Sequence, residues 1–252
     1  GSMSDRQLLS GRKAIVTGGA SGIGEAIVLS YAREGAQILV VDLPDSAVSQ
    51  NFTDVEGVTP LEQDITEKDA PQNIISAAIA AMGGFDVLVN NAGISWPDSV
   101  EGEGEELWEK TMAINVTSMF RITRAALPEL KKSDAGRIIN LGSIMSDMGG
   151  PNLFVYGTSK HAVAGMTKSM AVDLGQYGIT VNYLQPGAVV TALSAPYFED
   201  EDFRNYWIDK APIGRLGQPE DVAHAAVFLA QKESQFISGL GLNVDGGAIV
   251  KF

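Results

Sequence analysis

Residues 13–24 read K-A-I-V-T-G-G-A-S-G-I-G. The apolar run 13–17 has the pattern of a buried strand, and it passes without a break into glycines. From Ile23 to Arg33 the pattern becomes that of a helix. Strand, glycine turn and helix in that order make an anion cradle. Gly18 permits the tight turn, and Gly22 and Gly24 let main chain approach a ligand closely. The helix that follows offers unpaired N–H groups and the positive end of its dipole to a pyrophosphate. Ser21 and Ile23 complete the phosphate-facing turn. The spacing is G-x-x-x-G-x-G and not the G-x-G-x-x-G of many dinucleotide folds, so the flanking strand and helix carry the reading. The plain alternative is a glycine-rich turn that only joins strand to helix.

The same alternation runs through the rest of the chain. Strands are predicted at 37–41 (QILVV), 57–63, 86–90 (DVLVN), 137–141 (RIINL), 179–184 (ITVNYL) and 241–244. Helices are predicted at 68–82, 105–132, 154–177 and 219–231, the last with Pro219 in its first turn. Continuous apolar strands alternating with helices mean a parallel sheet covered on both faces. The fold class is therefore α/β, a single-domain, Rossmann-like doubly wound parallel sheet of about seven strands over 3–252. No linker, repeat or low-complexity stretch divides it. The long irregular stretch 191–217 is expected to be a lid or binding loop. Gly1-Ser2 ahead of Met3 reads as a cloning remnant.

Composition removes several classes of function. The 252 residues are 45% hydrophobic and 19% charged, enough for a large core. The absence of Cys excludes disulfides, thiolate catalysis and Cys-ligated zinc, and fits a reducing, cytoplasmic setting. The two histidines, His161 and His224, have no ligand cluster near them in sequence, so no metal is expected. A net charge of −13 leaves no basic footprint for nucleic acid. No apolar run reaches the roughly 18 residues of a membrane span, and no signal segment opens the chain.

Two further stretches bear on a ligand. Asp42 ends the second strand about 20 residues past the glycines, where a carboxylate accepts bonds from adenosine ribose hydroxyls. It would repel a 2′-phosphate, and no Lys or Arg stands beside it. NAD is therefore favoured over NADP. Asn90-Asn91-Ala92-Gly93 follows the fourth strand, at the sheet edge where ligands bind in such folds.

Taken together the motifs resemble the short-chain dehydrogenase/reductase family, in its branch of about 250 residues. The resemblance covers nearly the whole chain. It rests on TGGASGIG at 17–24, Asp64-Ile65, NNAG at 90–93, Asn115, Ser143, Y-G-T-S-K at 156–160, P-G-A-V-V-T at 186–191, Gly214-Arg215 and D-G-G at 245–247. It implies a tetrad of Asn115, Ser143, Tyr156 and Lys160. It also implies that Asp64 and Ile65 flank the adenine. Asn91, Ala92 and Gly93, with Pro186, Gly187, Val189 and Thr191, would cradle the nicotinamide half. Gly142 departs from the second Ser of many relatives, while Ser143 keeps the hydroxyl.

A Tyr and a Lys four residues apart then have a physical purpose. Hydride transfer to a ketone leaves an alkoxide that needs a proton, and an alcohol oxidised in reverse must lose one. A phenol has an unperturbed pKa of about 10, and a catalyst works best near the ambient pH. A cation held close lowers it, and Lys160 lies one helical turn along on the same face as Tyr156. Ser143 would donate a hydrogen bond to the substrate oxygen. The resemblance adds that Lys160 holds the cofactor ribose and that Asn115 anchors a water relay.

The substrate is less legible. Tyr197, Phe198, Phe203, Tyr206 and Trp207 crowd the lid, and Trp96, Met145 and Met148 follow the NNAG turn and Ser143. They suggest an apolar wall and a hydrophobic secondary alcohol or ketone. The alternatives are a 3-oxoacyl thioester reductase, with Arg121, Arg124, Lys131 and Lys132 as the docking patch for an acidic carrier, and a polyol or sugar dehydrogenase. A non-catalytic NAD-binding module is a further class. The resemblance implies a homotetramer paired through 105–132, 154–177 and 219–247, with the tail 249–252 reaching a neighbour.

Overall fold

The structure is a computed structural model that describes residues 7–102 and 104–252. The Gly1-Ser2 reading lies outside the described residues. Seven strands form one all-parallel sheet: β1 (Lys13–Thr17), β2 (Gln37–Asp42), β3 (Val58–Glu62), β4 (Val87–Asn90), β5 (Arg137–Leu141), β6 (Thr180–Pro186) and β7 (Gly241–Val244). Their order is β3-β2-β1-β4-β5-β6-β7, so the winding reverses between β1 and β4. The helices are α1 (Gly22–Arg33), α2 (Val48–Asn51), α3 (Ala70–Met82), α4 (Glu105–Met112), α5 (Ser118–Leu130), α6 (Phe154–Leu174), α7 (Glu201–Lys210) and α8 (Pro219–Ala230).

Strand alternation sorts the core into two layers. Ala14, Val16, Ile38, Val40, Val87 and Val89 pack against Ile27, Tyr31, Val222 and Ala226 of α1 and α8. Ile15, Leu39, Val41 and Leu88 point the other way, against Ile74, Ala78, Ile122 and Leu130 of α3 and α5. Pro60, which lacks a ladder donor, is accommodated because β3 is an edge strand.

At the N-terminal rim of the sheet two arginines are buried, Arg12 and Arg137. Arg12 donates to the carbonyls of Ala135 (2.6 Å) and Ala230 (3.2 Å), and its Nη1 lies 3.8 Å from Asp86. Arg137 donates to Gln231 (3.1 Å) and Lys232 (3.0 Å). Together they satisfy carbonyls at the end of α8 that have no partner within the helix. Burial lowers both pKa values, Arg137 to about 10, so Arg137 remains a cation at neutral pH.

Two expectations are corrected. The segment 105–132 is not one α-helix: residues Ala113–Thr117 form a π-helical turn between α4 and α5. The stretch 191–217 is not irregular throughout, because α7 occupies its middle, begun by the Asp200 side chain accepting from the Phe203 N–H at 3.0 Å.

Candidate active site

The glycine turn and the NNAG turn meet at the reversal between β1 and β4, where a doubly wound sheet opens a crevice. Gly18 has φ +64°, and a Cβ on it would stand 2.8 Å from Ala92 Cα. A Cβ on Gly24 would stand 2.2 Å from the Gly18 oxygen and 2.4 Å from Asn91 Nδ2. Only glycine fits either position. Thr17 Oγ1 accepts from the N–H groups of Asn91 and Ala92, both at 3.1 Å, and Asn91 Nδ2 donates to the Gly18 oxygen at 2.9 Å. The two turns are thus one hydrogen-bonded unit.

Asp42 stands at the end of β2. Its Oδ2 accepts from the Ala20 N–H at 2.9 Å and its Oδ1 from the Leu43 N–H at 2.7 Å. The carboxylate therefore braces the glycine turn from the side. Asp64 Oδ1 accepts from the N–H (2.9 Å) and hydroxyl (2.7 Å) of Thr66, and Ile65 beside it is buried. Across the crevice Gly187 N–H donates to the Val244 carbonyl at 3.0 Å, which ties the strand after Pro186 to β7. Val189 is buried. A Cβ on Gly22 would come 3.3 Å from Thr191 Cγ2, so the start of the 191–217 stretch faces the glycine turn.

The four tetrad residues come from three places. Ser143 follows β5 and caps a single 3₁₀ turn, Ile144–Ser146. Tyr156 and Lys160 lie in the first turns of α6. Asn115 lies in the π-helical turn, a distortion that recurs at functional sites. There its Oδ1 accepts from the Ile94 N–H at 2.9 Å, and its Nδ2 donates to the Ile94 carbonyl (2.9 Å) and to Ser159 Oγ (3.1 Å). Ser159 in turn donates to the Tyr156 carbonyl at 2.7 Å.

Tyr156 and Ser143 share a side-chain hydrogen bond. Lys160 is buried, its Nζ donates to the Leu141 carbonyl at 2.9 Å, and it stands 5.6 Å from the centre of the Tyr156 ring. Burial raises the Tyr156 phenol above its ordinary value, and the Ser143 bond pulls it back in part. Burial lowers Lys160 to about 8. The phenol therefore carries its proton at neutral pH while the lysine is mostly charged. Gly93 completes the group: a Cβ there would lie 3.3 Å from Asn115 Oδ1 and 3.7 Å from Lys160 Nζ.

The residues expected around the substrate fall into different places. Met145 is buried, Met148 is half-buried and Trp96 is exposed. The loop that carries Trp96 is fixed to the lead-in of α6 by Asp98 N–H on the Asn152 carbonyl (3.0 Å) and Phe154 N–H on the Asp98 carbonyl (3.2 Å). In the lid Phe198 is buried against Phe203, ring centres 5.3 Å apart. Tyr206 meets Trp207 edge-on at 5.2 Å. Trp207 also lines a separate cavity of about 720 Å³, with Ala188, Pro212, Gly217, His224 and Asp245. Tyr197 and Tyr206 present exposed rings.

Hydroxyls that sequence reasoning passed over do much of the positioning. Thr17, Ser159 and Ser146 each bond to a motif residue. Thr17 and Ser159 lie inside the motifs at 17–24 and 156–160 without having been given a role there, and Ser146 has only its nearness to Ser143 as a signal. Ser194 is a fourth, its Oγ accepting from the Thr191 N–H at 2.8 Å and donating to the Val189 carbonyl at 2.8 Å.

A family model described as enoyl-(acyl carrier protein) reductase matches residues 18–248. The chain is 33% identical to the 3-oxoacyl-(acyl-carrier-protein) reductase FabG of Thermotoga maritima, over 96% of this chain and 99% of that one. It is 36% identical to (+)-borneol dehydrogenase 2 of Salvia officinalis, over 95% and 89%. A solved structure from Beutenbergia cavernae, assigned provisionally as an NAD(P)-dependent gluconate 5-dehydrogenase, holds NADP at low occupancy. It superposes with a TM-score of 0.91 at 34% identity, covering 98% of this chain and 100% of that one.

Proposed function

Given that this chain belongs to the short-chain dehydrogenase/reductase family of oxidoreductases, we propose that it transfers hydride between NAD and a hydrophobic secondary alcohol or ketone, with Tyr156 as general acid and base. One observation carries the reading: a protonated, half-buried Tyr156 bonded to Ser143, with the Lys160 ammonium one turn away. The crevice suits a dinucleotide, since the glycine turn leads into the N-terminus of α1 at Gly22, where the first N–H groups have no partner within the helix. The nicotinamide supplies the hydride acceptor or donor when bound.

The chain's own groups handle the oxygen and the proton. In ketone reduction the Tyr156 hydroxyl gives its proton to the oxygen that is becoming an alkoxide, and Ser143 Oγ donates a hydrogen bond to the same atom. In alcohol oxidation the proton travels the other way. Lys160 contributes positive charge that favours the phenolate once it forms. Asn115 holds the Ile94 loop and, through Ser159, the first turn of α6.

NAD is proposed because the Asp42 carboxylate meets the position of a 2′-phosphate with negative charge. The exposed rings of Tyr197, Tyr206 and Trp96 support an apolar substrate. A carrier-bound thioester is less favoured because Asp42 supports NAD, whereas biosynthetic reduction commonly uses NADP. Of its candidate docking cations Lys132 is paired with Glu129, while Arg121, Arg124 and Lys131 meet only neutral carbonyls and rings. A sugar or polyol is the second reading. A cytoplasmic homotetramer belongs to the same proposal, supported by exposed Phe120, Phe154, Phe236 and Phe252. Among the described residues no helix is long and apolar enough to cross a membrane.

The test is a turnover screen of apolar secondary alcohols, polyols and sugars, each with NAD⁺ and with NADP⁺. Turnover of apolar alcohols with NAD⁺ is expected. Turnover of sugars alone, or a preference for NADP⁺, would overturn the substrate or the cofactor reading respectively.

A further inference from the structure

Gly142 breaks the expected Ser-Ser pair, and its surroundings give the reason. A Cβ at 142 would stand 2.8 Å from Ser146 Oγ and 3.0 Å from both the Leu184 oxygen and Tyr183 Cδ2. The space that a side chain at 142 would enter is held by the hydroxyl of Ser146, itself buried.

That hydroxyl is part of a reciprocal box around the catalytic candidate. Ser146 Oγ accepts from the Ser143 N–H at 3.3 Å, and Ser143 Oγ accepts from the Met145 N–H at 3.0 Å. Ser146 N–H closes the turn on the Ser143 carbonyl at 2.8 Å. A single 3₁₀ turn has little stability of its own, so these bonds fix where Ser143 stands. They also fix what its hydroxyl can do. A serine oxygen has two lone pairs and one proton. Met145 takes one lone pair, which leaves the other and the proton to face Tyr156 and a substrate oxygen.

We propose that Ser146 is a positioning residue for the reaction. It holds Ser143 in donor geometry and fills, in this chain, the space vacated at Gly142. The turnover part of this inference rests on the oxidoreductase reading above, while the geometric part does not.

The test compares the wild type with Ser146→Ala and Ser146→Thr, with two readouts. The first is the phenolate titration of Tyr156, taken as the absorbance difference from a Tyr156→Phe background. The second is kcat and KM for ketone reduction. Ser146→Ala releases Ser143, so the bond that holds the phenol down weakens and the titration moves to higher pH. Its kcat falls roughly tenfold with KM within about twofold, the signature of a misplaced transition-state donor. Ser146→Thr keeps the hydroxyl and restores both. If the threonine variant does not fold, Gly142→Ala replaces it, since its methyl displaces Ser146 and gives the alanine signature. A folded Ser146→Ala protein with unchanged titration and unchanged kcat overturns the proposal, as does a folded Gly142→Ala protein with neither change. If the wild type turns over nothing in the screen, the hydrophobic-alcohol reading fails, and the titration still decides the role of Ser146.

Discussion

Lys160 Nζ and the Leu141 carbonyl oxygen lie 2.9 Å apart, a buried ammonium bonded to the last residue of a central strand. The bond aims the cation beneath the first turn of α6, and the burial carries a cost. The folded pKa is about 8 against an ordinary 10.5. Between those values the unfolded chain holds a proton that the folded chain lacks, so this group makes stability rise with pH from about 8 to about 10.5. Below that window the penalty is constant, on the order of 3 kcal/mol. Lys160→Met should therefore abolish turnover and raise Tm, with the gain largest at neutral pH and shrinking above pH 8. Thermal melts of both proteins across pH check it. A lower Tm for the variant at neutral pH would show that the lysine stabilises the fold.

Tyr156→Phe removes the proton donor and leaves the ring. Turnover should fall by roughly 10²–10⁴-fold, while Tm and NADH affinity by fluorescence titration stay near wild type. Retained turnover would remove Tyr156 from the chemistry.

The two directions of reaction should respond to pH with opposite signs. The raised phenol is protonated at neutral pH, the form that ketone reduction needs, so reduction holds through neutrality and declines in alkali. Oxidation needs the phenolate and should rise with pH. Plots of kcat/KM in both directions check this, and an oxidation rate flat from about pH 6 to about pH 10 would contradict it.

Asp42 both opposes a 2′-phosphate and braces the glycine turn through Ala20. Asp42→Ser with Leu43→Arg should move preference toward NADP⁺, because Arg offers paired donors to a phosphate. A small loss of Tm should accompany it from the lost carboxylate bond. Unchanged preference in kcat/KM for the two cofactors would show that selectivity lies elsewhere.

Gly24→Ala places a methyl 2.2 Å from the Gly18 oxygen. The turn must open, so dinucleotide binding should be lost and stability should fall by about 1–3 kcal/mol. Calorimetric titration with NADH and a urea melt measure the two effects separately. Wild-type affinity in the variant would mean that the turn is not the cradle.

The regular parts of the molecule were legible because each has a single periodicity. β1, β5 and β7 run over the predicted residues, and the other strands shift by a residue or two at their ends, where pairing and not propensity sets the limit. The π-helical turn at Ala113–Thr117 was not legible, since one extra residue per turn leaves no mark in the apolar pattern. Within it the Asn115 side chain bonds to residues 94 and 159, far from it in sequence. Helix α7 was missed as an element because its rings pack on Phe198 and on one another and follow no stripe. The Ser143–Ser146 box was out of reach for a related reason. Its logic depends on the space beside Gly142, which Tyr183 and Leu184 define from another strand.

The buried arginines at the N-terminal rim have a consequence for how this protein can change. Arg12 and Arg137 fasten the end of α8 beneath the sheet, on the side away from the crevice. Truncating either leaves buried carbonyls unpaired, each a loss of about 1–3 kcal/mol, while Asp86 keeps the Lys13 N–H and the Ser133 hydroxyl as donors. The exposed rings of Trp96, Tyr197 and Tyr206 carry no such duty. A library that randomises those exposed positions and keeps Arg12, Asp86 and Arg137 therefore samples new substrate ranges within a population that still folds. The same diversity spread over both rims would be lost to unfolding before any selection for activity began.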